Sequence, residues 1–217
     1  MPTIFSHAIV ATAVGQWWRR MPASFWWWTA ICAMLPDIDV IAFSFGVPYD
    51  AMLGHRGFTH SMFFALIVGA AASWHLSHPS HLRTHASHPS HSSHPSHLAL
   101  FLWFTAVTAS HGVLDALTNG GRGIAFFAPF SGERYFFPWR PIQVSPIGAG
   151  FFSPRGLRVL ASEAVWIWLP SAIIAASARV LAHVHRPDRG RLPLLGELRR
   201  ASGRKARATD GSLQNRP

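Results

Sequence analysis

His111-Gly112-Val113-Leu114-Asp115 closes an apolar run, Leu98 to Leu117, that is long enough to be a helix through a bilayer. An imidazole and a carboxylate four residues apart lie one turn apart on the same helix face. Both are costly inside a membrane and call for a partner or a metal. Alone, the pair reads as a satisfied polar contact at a helix end. Three other stretches change that reading: His7, Leu35-Pro36-Asp37-Ile38-Asp39, and His55-Arg56-Gly57-Phe58-Thr59-His60. Each lies at the end of an apolar segment, and much of the chain reads as scaffold for bringing them together.

Composition sets the class. The chain has 217 residues, 49% hydrophobic and 13% charged, with 10 Trp and 16 Phe. An ordinary soluble domain carries about 25% charged residues. Mean hydropathy is +0.19 in spite of a polar C-terminal stretch. These values predict an all-α, multi-pass helical membrane protein with about four to five membrane-embedded helices. Net charge is +10, yet 9 of the 19 Lys and Arg follow His185. That skew points to a basic tail, 185–217, at an anionic lipid surface on the cytoplasmic side. Specific nucleic-acid binding is not expected. The single cysteine, Cys32, falls inside an apolar segment and reads as a small buried residue.

The embedded domain is expected over 1–184. Ile4 to Trp18 is a short helix, and Trp17-Trp18 before Arg19-Arg20 marks an interface. Phe25 to Leu35 ends at Pro36 and falls short of the ~30 Å hydrocarbon core, which puts Asp37 and Asp39 near the headgroups. Gly54 and Gly57 bracket His55 and Arg56 in a loop. Thr59 is the expected N-cap of the helix that follows, with His60 in its first turn. Ser61 to Trp74 and Val159 to Ala182 are further apolar segments, the latter holding Glu163 and Pro170.

Two connections stand out. In 75–97, His-Pro-Ser-His recurs at His78, His88 and His94, a low-complexity pattern expected to be disordered and without catalytic value. The stretch 118–157 is rich in Gly, Pro and aromatics. Its Arg122, Arg134 and Arg140 are candidates for bidentate contacts to a substrate phosphate, or for anchors at the headgroups.

Placing the tail inside by the positive-inside rule sends His7, Asp37, Asp39, His55, His60, His111 and Asp115 to the outer face together. Three His and two or three Asp form an N/O ligand set suited to a divalent metal, with Zn²⁺ the first choice. A bridging Asp115 could hold one or two ions, and such a site commonly activates water against a phosphoester.

At these motifs, over about residues 1–155, the sequence resembles the bacterial inner-membrane family of membrane-bound metal-dependent hydrolases. It is distantly similar to zinc-dependent phospholipase C and to single-strand nucleases. That resemblance implies one metal held by Asp37, one of His55 or His60, His111 and Asp115, and a second by His7 with Asp115. Those enzymes carry a further His-x-x-x-Glu helix. Here Val159, not His, stands four residues before Glu163, which speaks against a third ion.

The expected function is hydrolysis of a small-molecule or lipid-linked phosphoester at the membrane, with Asp39 as a base and Arg56 or Arg122 on phosphate. A divalent-metal transporter and a purely structural metal site are the alternatives. The residues cluster at segment ends, whereas transport sites sit near the midplane.

Overall fold

Helices, most of them apolar, make up most of the described residues, and one of them carries its helical path further than the sequence suggests. The computed structural model describes residues 1–18, 21–78 and 95–184. The readings of Arg19-Arg20, most of the His-Pro-Ser repeat and the basic tail lie outside the described residues.

Helix α1 is Ile4–Gly15 and α2 is Ala23–Met34. Pro36 does not end the second segment. The chain continues from α2 into a 3₁₀ stretch, Leu35–Phe45, with Pro36 in its first turn, where a missing N–H does no harm. Together Ala23–Phe45 runs 23 residues, long and apolar enough to cross a membrane. Asp37 and Asp39 therefore lie within a helical path and not after its end.

A 3₁₀ turn, Phe58–His60, precedes α3, Met62–Ser77. Ser61, not Thr59, caps α3: its extended backbone turns the side chain back to accept from Phe64 N–H at 3.1 Å. The Thr59 hydroxyl is committed elsewhere, donating to Asp39 at 2.6 Å. Helix α4 is His97–Ala116 and α5 is Pro154–Glu163. A π turn, Ala164–Trp168, joins α5 to α6, Leu169–Val184. Pro170 explains the π turn, since its ring would clash with the carbonyl of Trp166 in a regular helix. Three segments, Ala23–Phe45, His97–Ala116 and Pro154–Val184, are long and apolar enough to span a membrane; Ile4–Gly15 and Met62–Ser77 are shorter apolar helices.

Helices α1 to α4 share a core of Ala11, Phe25, Cys32, Val68, Leu100 and Phe104. Small residues allow close approach, as in membrane bundles. A Cβ on Gly69 of α3 would stand 2.0 Å from Thr105 Oγ1 of α4. The bundle is also apolar outside: Trp27, Ile67, Leu102 and Ile173 are exposed, a distribution that suits lipid.

The described residues hold no strand ladder, only bridges at Thr118 with Ile142 and at Ile124 with Tyr135. These belong to the long connection, which packs back on the bundle. Ile124, Ala125, Ala128 and Ile142 are buried, and Ala125 N–H donates to the Arg56 carbonyl at 3.1 Å. Met1–Ser177 pack together as one unit; Ala178–Val184 is the end of α6.

Candidate metal centre

Four segments supply the cluster, and the reason each presents its residue is local. His7 sits in the first turns of α1. Asp37 and Asp39 come from the 3₁₀ stretch, His55, Arg56 and His60 from the loop and turn before α3, and His111 and Asp115 from α4. The loop before α3 is tight: a Cβ on Gly57 would stand 2.2 Å from the Met52 carbonyl, so no other residue fits there without movement. Arg56 adopts φ of 63°, a left-handed conformation uncommon outside glycine. Asp39 Oδ2 accepting from Arg56 N–H at 3.1 Å and the bond from Ala125 hold it there.

All seven His and Asp of the motifs are buried, and they fall into two layers. In the inner layer Asp37 Oδ1 stands 3.2 Å from His111 Nε2 and 3.6 Å from His60 Nε2. Asp115 Oδ2 is 3.6 Å from the same His60 nitrogen. Asp115 Oδ1 is 3.6 Å from His7 Nε2. The His7 and His111 rings stack with centroids 3.6 Å apart.

The outer layer orients the inner one. Asp39 receives His55 Nδ1 at 2.6 Å on one oxygen, and His60 Nδ1 at 3.1 Å on the other. His111 Nδ1–H donates to the Ala33 carbonyl at 2.8 Å. With Nδ1 engaged in each case, Nε2 of His60 and of His111 is left to face the carboxylates. This is the usual arrangement behind a metal-bound histidine.

Among the described residues, and apart from one another, the polar atoms of the inner layer face only the Arg56 guanidinium, which pairs with Asp115 Oδ2. Both ring nitrogens of His7, Nε2 of His60 and His111, and both oxygens of Asp37 and Asp115 are buried without a hydrogen bond. Such groups are expensive to bury unmatched. Bond lengths of about 2.0–2.2 Å around a tetrahedral ion put neighbouring ligand atoms about 3.3–3.6 Å apart; the His–Asp pairs here are 3.2–3.6 Å apart, and the four candidate ligand atoms lie within 4.8 Å of one another. Charge agrees. Three buried carboxylates, Asp37, Asp39 and Asp115, face one buried guanidinium, Arg56, a negative excess that draws in a cation, either a proton on His60 or a metal ion in its place. Burial disfavours a proton on His60, but Asp115, Asp37 and Asp39 outweigh it and push its pKa up to about 10. Asp37, His60, His111 and Asp115 could hold a metal ion, and so by spacing could Asp39, His55 and His60. The unpartnered atoms favour the first group. In the second, Asp39 is already engaged by His55, His60, Thr59 and Arg56.

The arginines are arranged differently from the sequence reading. Arg56 pairs with Asp115 Oδ2 at 3.1 Å and donates to the Gly120 carbonyl at 2.9 Å and Thr118 Oγ1 at 3.0 Å. Its donors face protein groups. Arg134 holds backbone carbonyls, His55 at 3.1 Å and Tyr49 at 3.3 Å, and so braces the ligand loop. Arg140 lies over the Phe136 ring at 4.7 Å. Arg122 is exposed and pairs with Asp50. Asp39, expected as a base, has its oxygens occupied by the loop it organises. Sequence reasoning misses Thr118, three residues after Asp115, and reads Thr59 only as a helix cap. The three-residue spacing of Thr118 from Asp115 was an available signal; Thr59 lies 20 residues from Asp39 and offered none.

No solved structure matches this chain. It is similar to "Inner membrane protein YbcI" of Escherichia coli (strain K12), with 34% identity over 177 residues, 80% of this chain and 95% of that protein. The family model described as "YdjM inner membrane protein" matches residues 1–186, which take in every residue of the cluster. Both names give a membrane and neither gives an activity. With its apolar helices and this match over most of its length, the chain belongs to the YdjM inner membrane protein family.

Proposed function

We propose that this inner-membrane protein is a metal-dependent hydrolase of a phosphoester, small or lipid-linked. The observation that carries it is the convergence, from four segments, of buried His and Asp atoms that make no hydrogen bond. Asp37, His60, His111 and Asp115 would hold a divalent ion, with Zn²⁺ favoured by the N/O donor set. His7 is the added ligand on the Asp115 Oδ1 side. When bound, the ion would supply a Lewis acid that activates water and offsets charge on phosphate. Asp39 holds His60 and His55 in place. Arg56 neutralises part of the carboxylate charge, and exposed Arg122 is free to exchange Asp50 for a substrate phosphate. By the positive-inside rule we place the cluster toward the extracytoplasmic face, the tail 185–217 in the cytoplasm and the embedded domain at 1–184.

Metal analysis of purified protein, followed by turnover of a generic phosphoester with and without chelator, tests this. Bound divalent ion and chelator-sensitive hydrolysis, both lost in Asp37→Ala, are expected. Metal-replete protein that moves ions across vesicles and hydrolyses nothing would overturn it. Burial of the whole cluster favours a second reading, an ion that only staples the helices. In that case chelation lowers thermal stability and no phosphoester is turned over.

A further inference from the structure

Glu163 lies in the apolar span Pro154–Val184 and is fully buried, and the metal reading leaves it unused. Among the described residues its hydrogen-bond partners are Thr3, at the N-cap of α1, and Ser6 in its first turn. Glu163 Oε1 accepts from Thr3 N–H at 2.5 Å, and Oε2 accepts from Thr3 Oγ1 at 2.6 Å and Ser6 Oγ at 2.7 Å. Trp168, in the π turn that follows, donates its indole N–H to Ser6 Oγ at 2.8 Å. Helix α1 has no side-chain cap of its own and no acid in its first turn. A carboxylate from the last span therefore takes the place of a cap, at the end of the helix where negative charge is favoured.

Thr3, Ser6 and His7 share one face of α1, three and four residues apart. Toward its C-terminal end α1 is set by close packing, with Ala11 in the core and Gly15 against Trp26 and Trp103. At the end that carries His7, the bonds from Thr3 and Ser6 to Glu163 add directional contacts that packing alone does not supply. We propose that Glu163 is a positioning residue that sets the rotation of α1 and thereby presents His7 to Asp115. This rests on the metal reading and adds to it a residue outside the ligand motifs.

The test uses full-length protein in detergent: metal titration of wild type, Glu163→Ala, Glu163→Gln, His7→Ala and the Glu163→Ala/His7→Ala pair, with amide exchange over residues 3–7 in metal-free protein. Glu163→Ala is expected to weaken metal binding about 10-fold or more, the usual effect of losing an orienting group. The pair should be no worse than His7→Ala alone. Glutamine can still accept from Thr3 N–H and donate to the hydroxyls, so Glu163→Gln should stay within about 3-fold of wild type. Amides of residues 3–7 should lose protection in the Ala variant. Wild-type affinity in Glu163→Ala, additive losses in the pair, or a Gln variant as weak as Ala would overturn the proposal. If Glu163→Ala does not fold, Ser6→Ala, which removes one donor, replaces it with the same expected direction. Wild-type protein that binds no metal would remove the metal reading, while the exchange arm would still decide whether Glu163 orders α1.

Discussion

Asp115 and Arg56 are both wholly buried, and Asp115 Oδ2 lies 3.1 Å from Arg56 Nε. One carboxylate therefore serves two purposes, facing the candidate ligands and neutralising a buried guanidinium. From the sequence, Asp115→Asn should weaken metal binding and leave the fold alone. The ion pair changes that expectation. Removing the charge strands Arg56 in a poorly hydrated interior, a cost of about 3 kcal/mol or more. Metal content should fall sharply and thermal unfolding in detergent should move down together, even in chelator. Unchanged stability in chelator would show that Arg56 finds its counter-charge elsewhere.

His60 and His55 differ in what they face. His60 Nε2 looks at Asp37 and Asp115, while His55 Nδ1 contacts Asp39. His60→Ala should abolish tight metal binding. His55→Ala should weaken it by about 10-fold, as loss of an orienting group does. Titration with Zn²⁺ distinguishes the two, and an order reversed from this would move the ion to the Asp39 side.

Gly69→Ala puts a methyl where Thr105 Oγ1 now stands, 2.0 Å from the added carbon. Helices α3 and α4 must separate or Thr105 must turn, at a cost of about 1–3 kcal/mol. The thermal midpoint should fall. Because α4 carries His111 and Asp115, metal affinity should fall with it. A midpoint equal to wild type would mean that this contact gives way freely.

His88 belongs to the repeat and to none of the cluster's segments. His88→Ala should leave metal content and stoichiometry unchanged by elemental analysis. A loss there would place the bound ion in the His-Pro-Ser stretch.

Reporters check the orientation. A fusion after Pro217 should read cytoplasmic, and an insertion near Ser131 extracytoplasmic, if the excess of Lys and Arg after His185 sets the topology.

The amino-acid sequence alone was enough for the helical membrane class and for the members of the cluster. Apolar run length, scarce charge and abundant Trp and Phe are properties of composition, and they predict partition into lipid without a fold. His and Asp in such runs are costly, so they mark themselves. Local rules failed where a long-range contact outweighed them. Pro36 reads as a helix end, yet the chain continues to Phe45 in 3₁₀ form. Thr59 reads as a cap, yet its hydroxyl goes to Asp39 and leaves that position to Ser61. The division of labour between His55 and His60 was open, because it depends on which ring nitrogen faces which carboxylate. That is set by Asp39 arriving from a different segment. Glu163 could be read only as a departure from a pattern. Its bonds to Thr3 and Ser6 join residues at opposite ends of the embedded chain, and no spacing rule connects positions that only the packing of α1 against the last span brings together.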